Sequence, residues 1–513
     1  MKPTYVLQIG RSAVFSAALF CIHSAEAASF QLLGDISGGR LNSIGRGVSA
    51  DGLIVVGDVE DDSFTRGAYW TQQTGWVTLP PTDSTYQGTK AYAISDDGSV
   101  IVGEGENFSF GRDEAAVWTR QQNGSYTAQL LTPPGNSKFG FFATVDMVAY
   151  AVSGDGSVVT GVGLTNDNEE PREAFYWTAQ SGVVPMGNLS NGPIPGAQFK
   201  PSFSEGNAVS RDGSIIAGMS WPGLRESGSA ANEAYRFNVS SGAMVGIGDL
   251  QTPVFSSNAE AISKDGLVVV GEARNSENEQ VAFRHTEIAG MEDLGRLLDS
   301  DGIVARALAT NEDGSVVIGR SGTERTLEVV SSSEAFIWTA NTGMRLLEDV
   351  AGLTTSELGA TGYLESANAI SDDGLTIVGT YIVPDLVTFR PERQAFRLVL
   401  TAEELLGVSV IDDAKESLNL RVESVSANNV EIAFEILINE SLNYTLQGTS
   451  DLSVDFANLL LISTDGSGAV VRTLIDDNYS GISTGTTDDL RRELVPLDSN
   501  MRFWRIVITD GGG

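Results

Sequence analysis

Short apolar runs separated by turn residues fill the chain from residue 29 to residue 400. In AYAISDDGSVIVG, at 91–103, an alternating run of small and apolar residues leads through Ser-Asp-Asp-Gly into a second apolar run. A period of two is typical of strands, and Asp-Gly between two such runs is typical of a hairpin turn. The stretch therefore predicts two antiparallel strands joined by a tight turn.

The same pattern recurs along the chain. Ala-[Val/Ile]-Ser-x-Asp-Gly, followed by an apolar run and a glycine, appears seven times with small variations, and its turn glycines are Gly52, Gly98, Gly156, Gly213, Gly266, Gly314 and Gly374. Each copy leads to a second motif such as AFYWT at 174–178, and most continue through a glycine turn into one more apolar run. Four strands in a repeat of about 50 residues are typical of a β-propeller blade. We therefore predict an all-β fold with a seven-bladed β-propeller of four-stranded blades.

The two ends of the repeat region complement each other. The seventh repeat ends in AFRLVL at 395–400 without an outer strand, whereas SFQLLGDISGG at 29–39 resembles the outer strands of other repeats. We predict that residues 29–36 complete the last blade, which would remove an open sheet edge.

The acidic residues of the repeated turn have a structural interpretation. Ser95 is expected to begin a type I turn, Asp97 occupies a position that favours Asp or Asn, and Gly98 is expected to adopt the left-handed conformation. A cation bridged by several such turns is the alternative interpretation.

These motifs together resemble the bacterial HAF-repeat, or extracellular-repeat, family. Its hallmark is Ala-Val-Ser/Asn-x-Asp/Asn-Gly-x-Val-Val-Gly followed by x-Ala-Phe-x-Trp, and the second motif stands here as EAFYW at 173–177 and EAFIW at 334–338. The resemblance covers about residues 29–400, and the sixth repeat departs most, with Thr310 and Asn311 in place of Val/Ile and Ser. It implies an exported or surface protein and assigns no activity to any residue.

The N-terminal segment predicts export. Lys2 and Arg11 precede the apolar run SAVFSAALFCI, and AEA at 25–27 offers small residues for cleavage, so residues 1–27 are predicted to be a signal peptide. A membrane anchor is the alternative, although the run is short for a bilayer. Cleavage near Ala27 would give a secreted, extracellular or periplasmic chain without cysteine or disulfides.

Two domains are predicted for the mature chain. The propeller is expected at 28–400, and alternating runs at 401–513 predict a small C-terminal β-sandwich. The net charge of −35 argues against nucleic acid and anionic membranes as partners. We expect no membrane insertion of the mature chain, and we expect a monomer.

Ligand binding is predicted on one face of the propeller, where the long and dissimilar loops between the second and third strands and between blades come together. Its candidate ligand-binding residues are Phe203, Trp221, Arg225 and Arg320. The aromatic side chains could stack on a sugar and the arginines could meet an anion. Loop packing and salt bridges within the face are the alternatives.

One acidic loop is a candidate metal site. Asp167, Glu169 and Glu170, interleaved with asparagines, offer the oxygen ligands that Ca²⁺ prefers. A solvated acidic loop is the alternative. No other cofactor is expected.

The sequence argues against most catalytic chemistries. His285 is the only histidine after residue 27, and it falls in the column Trp70, Trp118, Trp177, Phe237, His285, Trp338 and Leu398, which is predicted to be core packing. A Ser–His–Asp triad and a zinc site held by several histidines are therefore disfavoured. The function we expect is exported, non-catalytic binding of a carbohydrate or protein ligand. The alternatives are a carbohydrate-active hydrolase or lyase that uses paired carboxylates, and a structural component of the cell envelope.

Overall fold

The computed structural model describes thirteen stretches of the repeat region and eight later strands. They are 28–37, 39–82, 88–107, 112–133, 146–165, 172–189, 203–221, 232–250, 256–297, 304–322, 333–359, 361–383, 392–406 and the strands β29–β36 given below. The fold is nearly all-β. No helix among these residues is long and apolar enough to cross a membrane.

Each sequence repeat forms an antiparallel four-stranded unit, numbered 1 to 7 in chain order. Units 1 to 3 are β2–β5 (Arg40–Val48, Val55–Glu60, Thr65–Thr71, Gly75–Thr78), β6–β9 (Gly88–Ile94, Val100–Asn107, Arg112–Arg120, Tyr126–Leu130) and β10–β13 (Met147–Val152, Val158–Leu164, Arg172–Thr178, Gly182–Gly187). Units 4 to 6 are β14–β17 (Phe203–Val209, Ile215–Trp221, Glu233–Asn238, Ala243–Gly248), β18–β21 (Ser257–Ile262, Val268–Arg274, Gln280–Thr286, Gly290–Asp293) and β22–β25 (Val304–Thr310, Val316–Gly322, Glu334–Thr339, Gly343–Leu346). Two short helices, α1 (Leu347–Val350) and α2 (Thr355–Leu358), precede unit 7.

Unit 7 takes its fourth strand from the other end of the chain. It consists of β26–β28 (Tyr363–Ile370, Thr376–Val383, Glu392–Val399) and β1 (Ser29–Leu32), which pairs antiparallel with β28 from Ser29↔Val399 to Leu32↔Phe396. The pairing agrees with the closure expected from the likeness of residues 29–36 to outer strands.

The repeated turn has the geometry that the sequence predicts. In unit 2, Ser95 Oγ donates to Asp97 Oδ1 over 2.9 Å, and the backbone N–H of Ser99 donates to the same oxygen over 2.8 Å. Gly98 has a φ of 70°, in the left-handed region that favours glycine. Burial opposes ionisation, but the hydrogen bonds from Ser99 and Ser95 outweigh it and lower the pKa of Asp97. Asp97 is therefore a turn residue.

The turns of the seven units are joined in a closed cycle. The residue at position x of each Ser-x-Asp-Gly turn donates its backbone N–H to the carbonyl oxygen of the corresponding residue in the next unit, over 2.9 to 3.2 Å, in the order Ala50, Asp96, Gly154, Arg211, Lys264, Glu312, Asp372 and back to Ala50. A closed cycle requires the turns to surround a common centre. We call this side of the repeat region the turn end and the opposite side the loop end.

Every first strand carries a bulge that explains the last glycine of the motif. The register of β6 against β7 shifts between Ala91 and Ala93, which leaves Tyr92 as the extra residue. A Cβ atom on Gly103 would lie 1.9 Å from the carbonyl oxygen of Lys90, so no side chain fits there. The same clash, at 1.9 to 2.0 Å, would arise at Gly57, Gly161, Gly218, Gly271, Gly319 and Gly379.

Apolar residues of neighbouring units share each core. One cluster combines Val102 and Val117 of unit 2 with Met147, Val159 and Phe175 of unit 3. The predicted aromatic column is buried at one register position per unit, except that Trp177 is half-buried: Trp70, Trp118, Trp177, Phe237, His285, Trp338 and Leu398. Burial lowers the pKa of His285, which suits a neutral packing residue.

The chain after residue 400 forms a separate set of sheets, and contacts within the protein divide the chain between Leu400 and Thr401. After α3 (Ala402–Leu406) come β29–β36 (Leu418–Val425, Val430–Ile436, Leu442–Thr449, Ala457–Thr464, Val470–Leu474, Ser483–Thr486, Arg491–Val495, Phe503–Asp510). They form two antiparallel four-stranded sheets in the orders β29-β30-β35-β34 and β33-β32-β31-β36.

Candidate functional site

The bulges place one variable residue of each unit toward the common centre. These residues, which we call the central row, are Arg46, Tyr92, Tyr150, Asn207, Glu260, Leu308 and Asn368. All are half-buried, and the residue before each of them is buried. Since the first strands end at the cycle of turns, this half-buried face lines the centre.

Contacts between units connect members of the central row. The guanidinium of Arg46 lies 5.1 Å from the ring centroid of Tyr92, and the rings of Tyr92 and Tyr150 are 5.7 Å apart in an edge-to-face arrangement. Asn207 Nδ2 donates to Asn258 Oδ1 over 3.2 Å, and Asn368 Nδ2 donates to the carbonyl oxygen of Gly45 over 2.8 Å. These contacts run from unit 7 through units 1, 2 and 3, and separately between units 4 and 5.

A second set of side chains lies next to the central row, on the side of the loop end. We call these directly opposed residues of the first and second strands the upper pairs: Ile44–Asp58, Lys90–Glu104, Val148–Val162, Glu205–Met219, Asn258–Glu272, Arg306–Arg320 and Ser366–Thr380. Tyr92 donates its hydroxyl to Glu104 over 3.1 Å, which connects the two sets.

A group of carboxylates around the upper-pair residue Glu104 has the geometry of a cation site, but a lysine lies within it. Oxygens of Glu104, Glu106 and Asp113 lie within 4.8 Å of one another. The ammonium of Lys90 lies 2.6 Å from both Glu104 Oε1 and Glu106 Oε1. Burial opposes its charge, yet hydrogen bonds to both glutamates outweigh burial and raise the pKa of Lys90. The lysine already supplies the positive charge that this cluster needs.

Glu260 is the carboxyl group of the central row. Its Oε1 accepts a hydrogen bond from Asn258 Nδ2 over 2.7 Å. Burial, followed by the nearby charge of Glu272, raises the pKa of Glu260 to about 7, although Arg306 and Arg320 oppose the shift. The side chain is half-buried and keeps accessible surface. Glu260 can therefore hold or release a proton near neutral pH.

An ion-pair cluster lies at the turn end of the centre, and we call it the turn-end cluster. It consists of Asp96, Arg211, Lys264, Glu312 and Asp372, all at position x of their turns. Arg211 pairs with Asp96 over 2.7 Å, with Glu312 over 2.5 Å and also with Asp372, and Lys264 pairs with Asp96 over 2.5 Å. These ion pairs connect units 2, 4, 5, 6 and 7 across the turn end.

Two of the residues predicted to bind a ligand contact each other. Phe203 and Trp221 are directly paired at the loop end of unit 4, with ring centroids 5.1 Å apart and an edge-to-face arrangement. The indole N–H of Trp221 is buried and has no hydrogen-bond partner among the described residues. Arg320 lies half-buried in the sixth upper pair. Arg225 and the predicted calcium ligands, Asp167, Glu169 and Glu170, lie outside the described residues.

The sequence analysis missed the central row and the turn-end cluster. A signal for the row was present, because each of its members stands between two small residues, as in Ala91-Tyr92-Ala93 and Gly45-Arg46-Gly47. Small neighbours allow the bulged strand to pack closely while one variable side chain projects. Position x of the turn offered no comparable signal, because its partners lie in other repeats.

Comparisons with known proteins yield no family for this chain: no family model and no curated protein matches it. Among solved structures, it is similar to an oligogalacturonate lyase from Vibrio parahaemolyticus, with 10% identity, a TM-score of 0.43, and coverage of 74% of this chain and 98% of that chain. An oligogalacturonate lyase in complex with manganese gives 12% identity and a TM-score of 0.42 over the same shares. A putative TolB from Agrobacterium tumefaciens gives 13% identity and a TM-score of 0.34 over 52% of this chain and 88% of that chain. Likenesses this distant carry no argument about function.

Proposed function

We propose that this protein is an exported seven-bladed β-propeller of the HAF-repeat type that binds a ligand at the loop end of its centre without transforming it. The closed cycle of turn hydrogen bonds and the pairing of β1 with β28 support the blade number and the closure. The two four-stranded sheets after residue 401 support the additional proposal of a C-terminal β-sandwich.

The observation that carries the binding proposal is the chemical variety of the central row on an otherwise regular scaffold. Aromatic, amide, carboxylate and guanidinium groups stand side by side in Tyr150, Asn207, Glu260 and Arg46, whereas the residues before them are uniformly small. A regular scaffold needs no such variety, while recognition of a ligand with many polar groups does. An extracellular carbohydrate fits this chemistry best, and a protein loop inserted into the centre is the second ligand class.

The proposed direction of approach follows from the two ends of the centre. Arg211, Lys264 and their acidic partners lie at the turn end, whereas every upper pair except the buried Ser366–Thr380 has at least one half-buried residue on the side of the loop end. A ligand is therefore expected to enter beside the loops between the second and third strands, where the sequence analysis predicted binding.

A glycan array and a polysaccharide pull-down with the mature chain test the proposal, each with and without Ca²⁺. We expect binding that Asn207→Ala weakens about tenfold, because Asn207 joins units 4 and 5 through Asn258 and Ala259. Asn123→Ala in an exposed outer turn of unit 2 is the matched control and should bind normally. Absence of binding in every condition would contradict the carbohydrate form of the proposal.

One observation favours the enzymatic alternative, a carbohydrate-active hydrolase or lyase. Glu260, with its pKa of about 7, lies in the electrostatic range of the carboxylates Glu205 and Glu272. A proton-carrying acid beside an ionised carboxylate suits general acid–base chemistry. Product formation from a bound polysaccharide that Glu260→Gln abolishes, while binding persists, would establish this alternative over simple binding.

We also propose that the protein is exported, and this proposal does not depend on the binding site. Fractionation of the native host and N-terminal sequencing of the mature chain should find the protein outside the cytoplasm with a new N-terminus near Ala28. Firm retention in the envelope without any ligand would favour the structural role instead.

A further inference from the structure

Arg306 and Arg320 are directly opposed on β22 and β23, as the sixth upper pair. Like charges directly opposite each other in an antiparallel pair are destabilising. The other six upper pairs are apolar, polar, of opposite charge or singly charged: Ile44–Asp58, Lys90–Glu104, Val148–Val162, Glu205–Met219, Asn258–Glu272 and Ser366–Thr380. Unit 6 therefore differs from the other six units because two cationic side chains lie directly opposite each other.

Within the described part of the chain, several hydrogen-bond donors of the two guanidinium groups have no acceptor. Arg306 Nε lies 2.5 Å from Glu272 Oε2, and its two terminal nitrogens have no partner among the described residues. The half-buried side chain of Arg320 has no hydrogen bond or ion pair with any part of the chain that the structure describes. Unused donors on half-buried arginines are unfavourable unless water or a ligand satisfies them.

The neighbouring charges are distributed so that an anion can be accommodated. Glu205 pairs with Arg172 over 3.0 Å, and Glu272 pairs with Arg306. Glu260 is the remaining carboxyl of this part of the centre, and it has an amide partner in Asn258. When Glu260 carries a proton, Glu205 and Glu272 remain paired with Arg172 and Arg306, so none of these three described carboxyl groups compensates the charge of Arg320.

We propose that Arg306 and Arg320 bind the carboxylate of an acidic sugar that enters the centre from its loop end. The planar fork of an arginine matches the two oxygens of a carboxylate, and two adjacent forks give both affinity and orientation. The proposal rests on the proposed function for the location of the ligand and adds the class of ligand. In a chain with a net charge of −35, this pair is a local site at which an anion is favoured.

The protonation state of Glu260 makes ligand binding at this site depend on pH. Burial and the charge of Glu272 raise the pKa of Glu260 to about 7, so its protonated form becomes common as the pH falls below 7. A bound carboxylate repels ionised Glu260 and tolerates the neutral acid. Binding of an acidic ligand is therefore strongest at the lower pH values and weakens as the pH rises through 7.

Isothermal titration of the mature chain with a glucuronate-containing trisaccharide and with its methyl ester tests the proposal. The ester keeps the shape of the sugar and removes its charge. We expect the acid to bind about tenfold more tightly than the ester at pH 6, as one charge-assisted contact of about 1.4 kcal/mol predicts. In Arg320→Gln we expect the acid and the ester to bind about equally tightly.

Arg120→Gln is the matched control, because it removes the same charge from an exposed side chain at the end of β8. It should keep the preference of the wild type. Arg320→Lys retains the charge and loses the fork, so it should keep an intermediate preference even if Arg320→Gln proves unstable in a thermal melt. Glu260→Gln should bind the acid equally well at pH 6 and pH 8, whereas the wild type should lose up to about tenfold over that range.

The results separate this inference from the proposed function. Equal binding of acid and ester, unchanged in Arg320→Gln, would overturn the anion site and leave ligand binding at the centre intact. Failure of both trisaccharides to bind would also overturn it, while the glycan array decides independently whether the centre binds any ligand.

Discussion

At the scale of single residues, the recurring positions of the repeat set the backbone geometry and the variable positions carry the chemistry. Ser95, Asp97 and Gly98 complete one turn, and Gly103 leaves space for the bulge. The variable neighbours differ in role: Asp96 joins the turn-end cluster and Tyr92 joins the central row. The two adjacent acids of this turn therefore have separate roles, which the pattern alone did not distinguish.

Gly103→Ala is expected to destabilise the protein by about 3 kcal/mol, because its Cβ would meet the backbone carbonyl of Lys90 and the bulge would have to move. Gly124→Ala in the same unit meets no atom within 4 Å and strains only a φ of 84°, so we expect a loss of about 1 kcal/mol. Urea denaturation of both variants measures the difference. Equal losses would show that the bulge does not require glycine.

Ser263→Ala is expected to reduce the free energy of unfolding by about 1 to 2 kcal/mol, since it leaves the buried N–H of Val268 without its acceptor. In the sixth repeat, Asn311 Oδ1 accepts from the N–H of Val316 over 2.9 Å and replaces the serine. Asn311→Ser should therefore be nearly neutral in the same thermal or urea melt. A large loss in Asn311→Ser would mean that the two side chains are not equivalent.

At the scale of elements, the sequence predicted the strands well and their side-chain partners poorly. Repetition of the Ser-x-Asp-Gly turn and the aromatic motif identified the strands of each unit, and the likeness of residues 29–36 to outer strands identified the partner of β28. The register of β22 against β23 could not be predicted, because it depends on a one-residue bulge at Leu308. The opposition of Arg306 and Arg320 follows from that register.

Closure by β1 is expected to contribute strongly to stability. Phe30 lies 6.1 Å from the ring of Phe396 and 6.4 Å from that of Tyr381, and β1 covers the edge of β28. Phe30→Ala should lower the free energy of unfolding by about 2 kcal/mol, whereas the exposed Ser29→Ala should change it little. Removal of residues 28–36 should in addition cause concentration-dependent association on size exclusion, since an open edge can pair with another chain. A monomeric, equally stable truncated chain would contradict the closure.

At the scale of the whole molecule, the turn-end cluster connects units that are far apart in sequence. Arg211 of unit 4 pairs with carboxylates of units 2, 6 and 7, and a Cβ on Gly154 would lie 2.3 Å from Asp96 Oδ2. The third turn therefore has glycine at position x, because Gly154 leaves space for the ion pair between Asp96 of unit 2 and Arg211 of unit 4. Such a dependence between repeats cannot be derived from the repeat pattern alone.

Arg211→Met is expected to reduce the free energy of unfolding by about 1 to 2 kcal/mol at low salt, because three carboxylates lose a shared partner. The loss should shrink in 1 M NaCl, where exposed ion pairs are screened. Arg66→Met, which removes the pair with Asp61 in one hairpin, should lose about 0.5 kcal/mol or less. A loss for Arg211→Met no larger than that of the control would show that the cluster does not stabilise the ring.

The central claim is that the ligand binds at the loop end of the common centre. A crystal structure of the mature chain with its tightest oligosaccharide from the array tests it most directly. We expect ligand density beside Tyr150, Asn207 and Glu260, with any carboxylate against Arg306 and Arg320. Density on the turn-end cluster or on the outer strands of the units would contradict it.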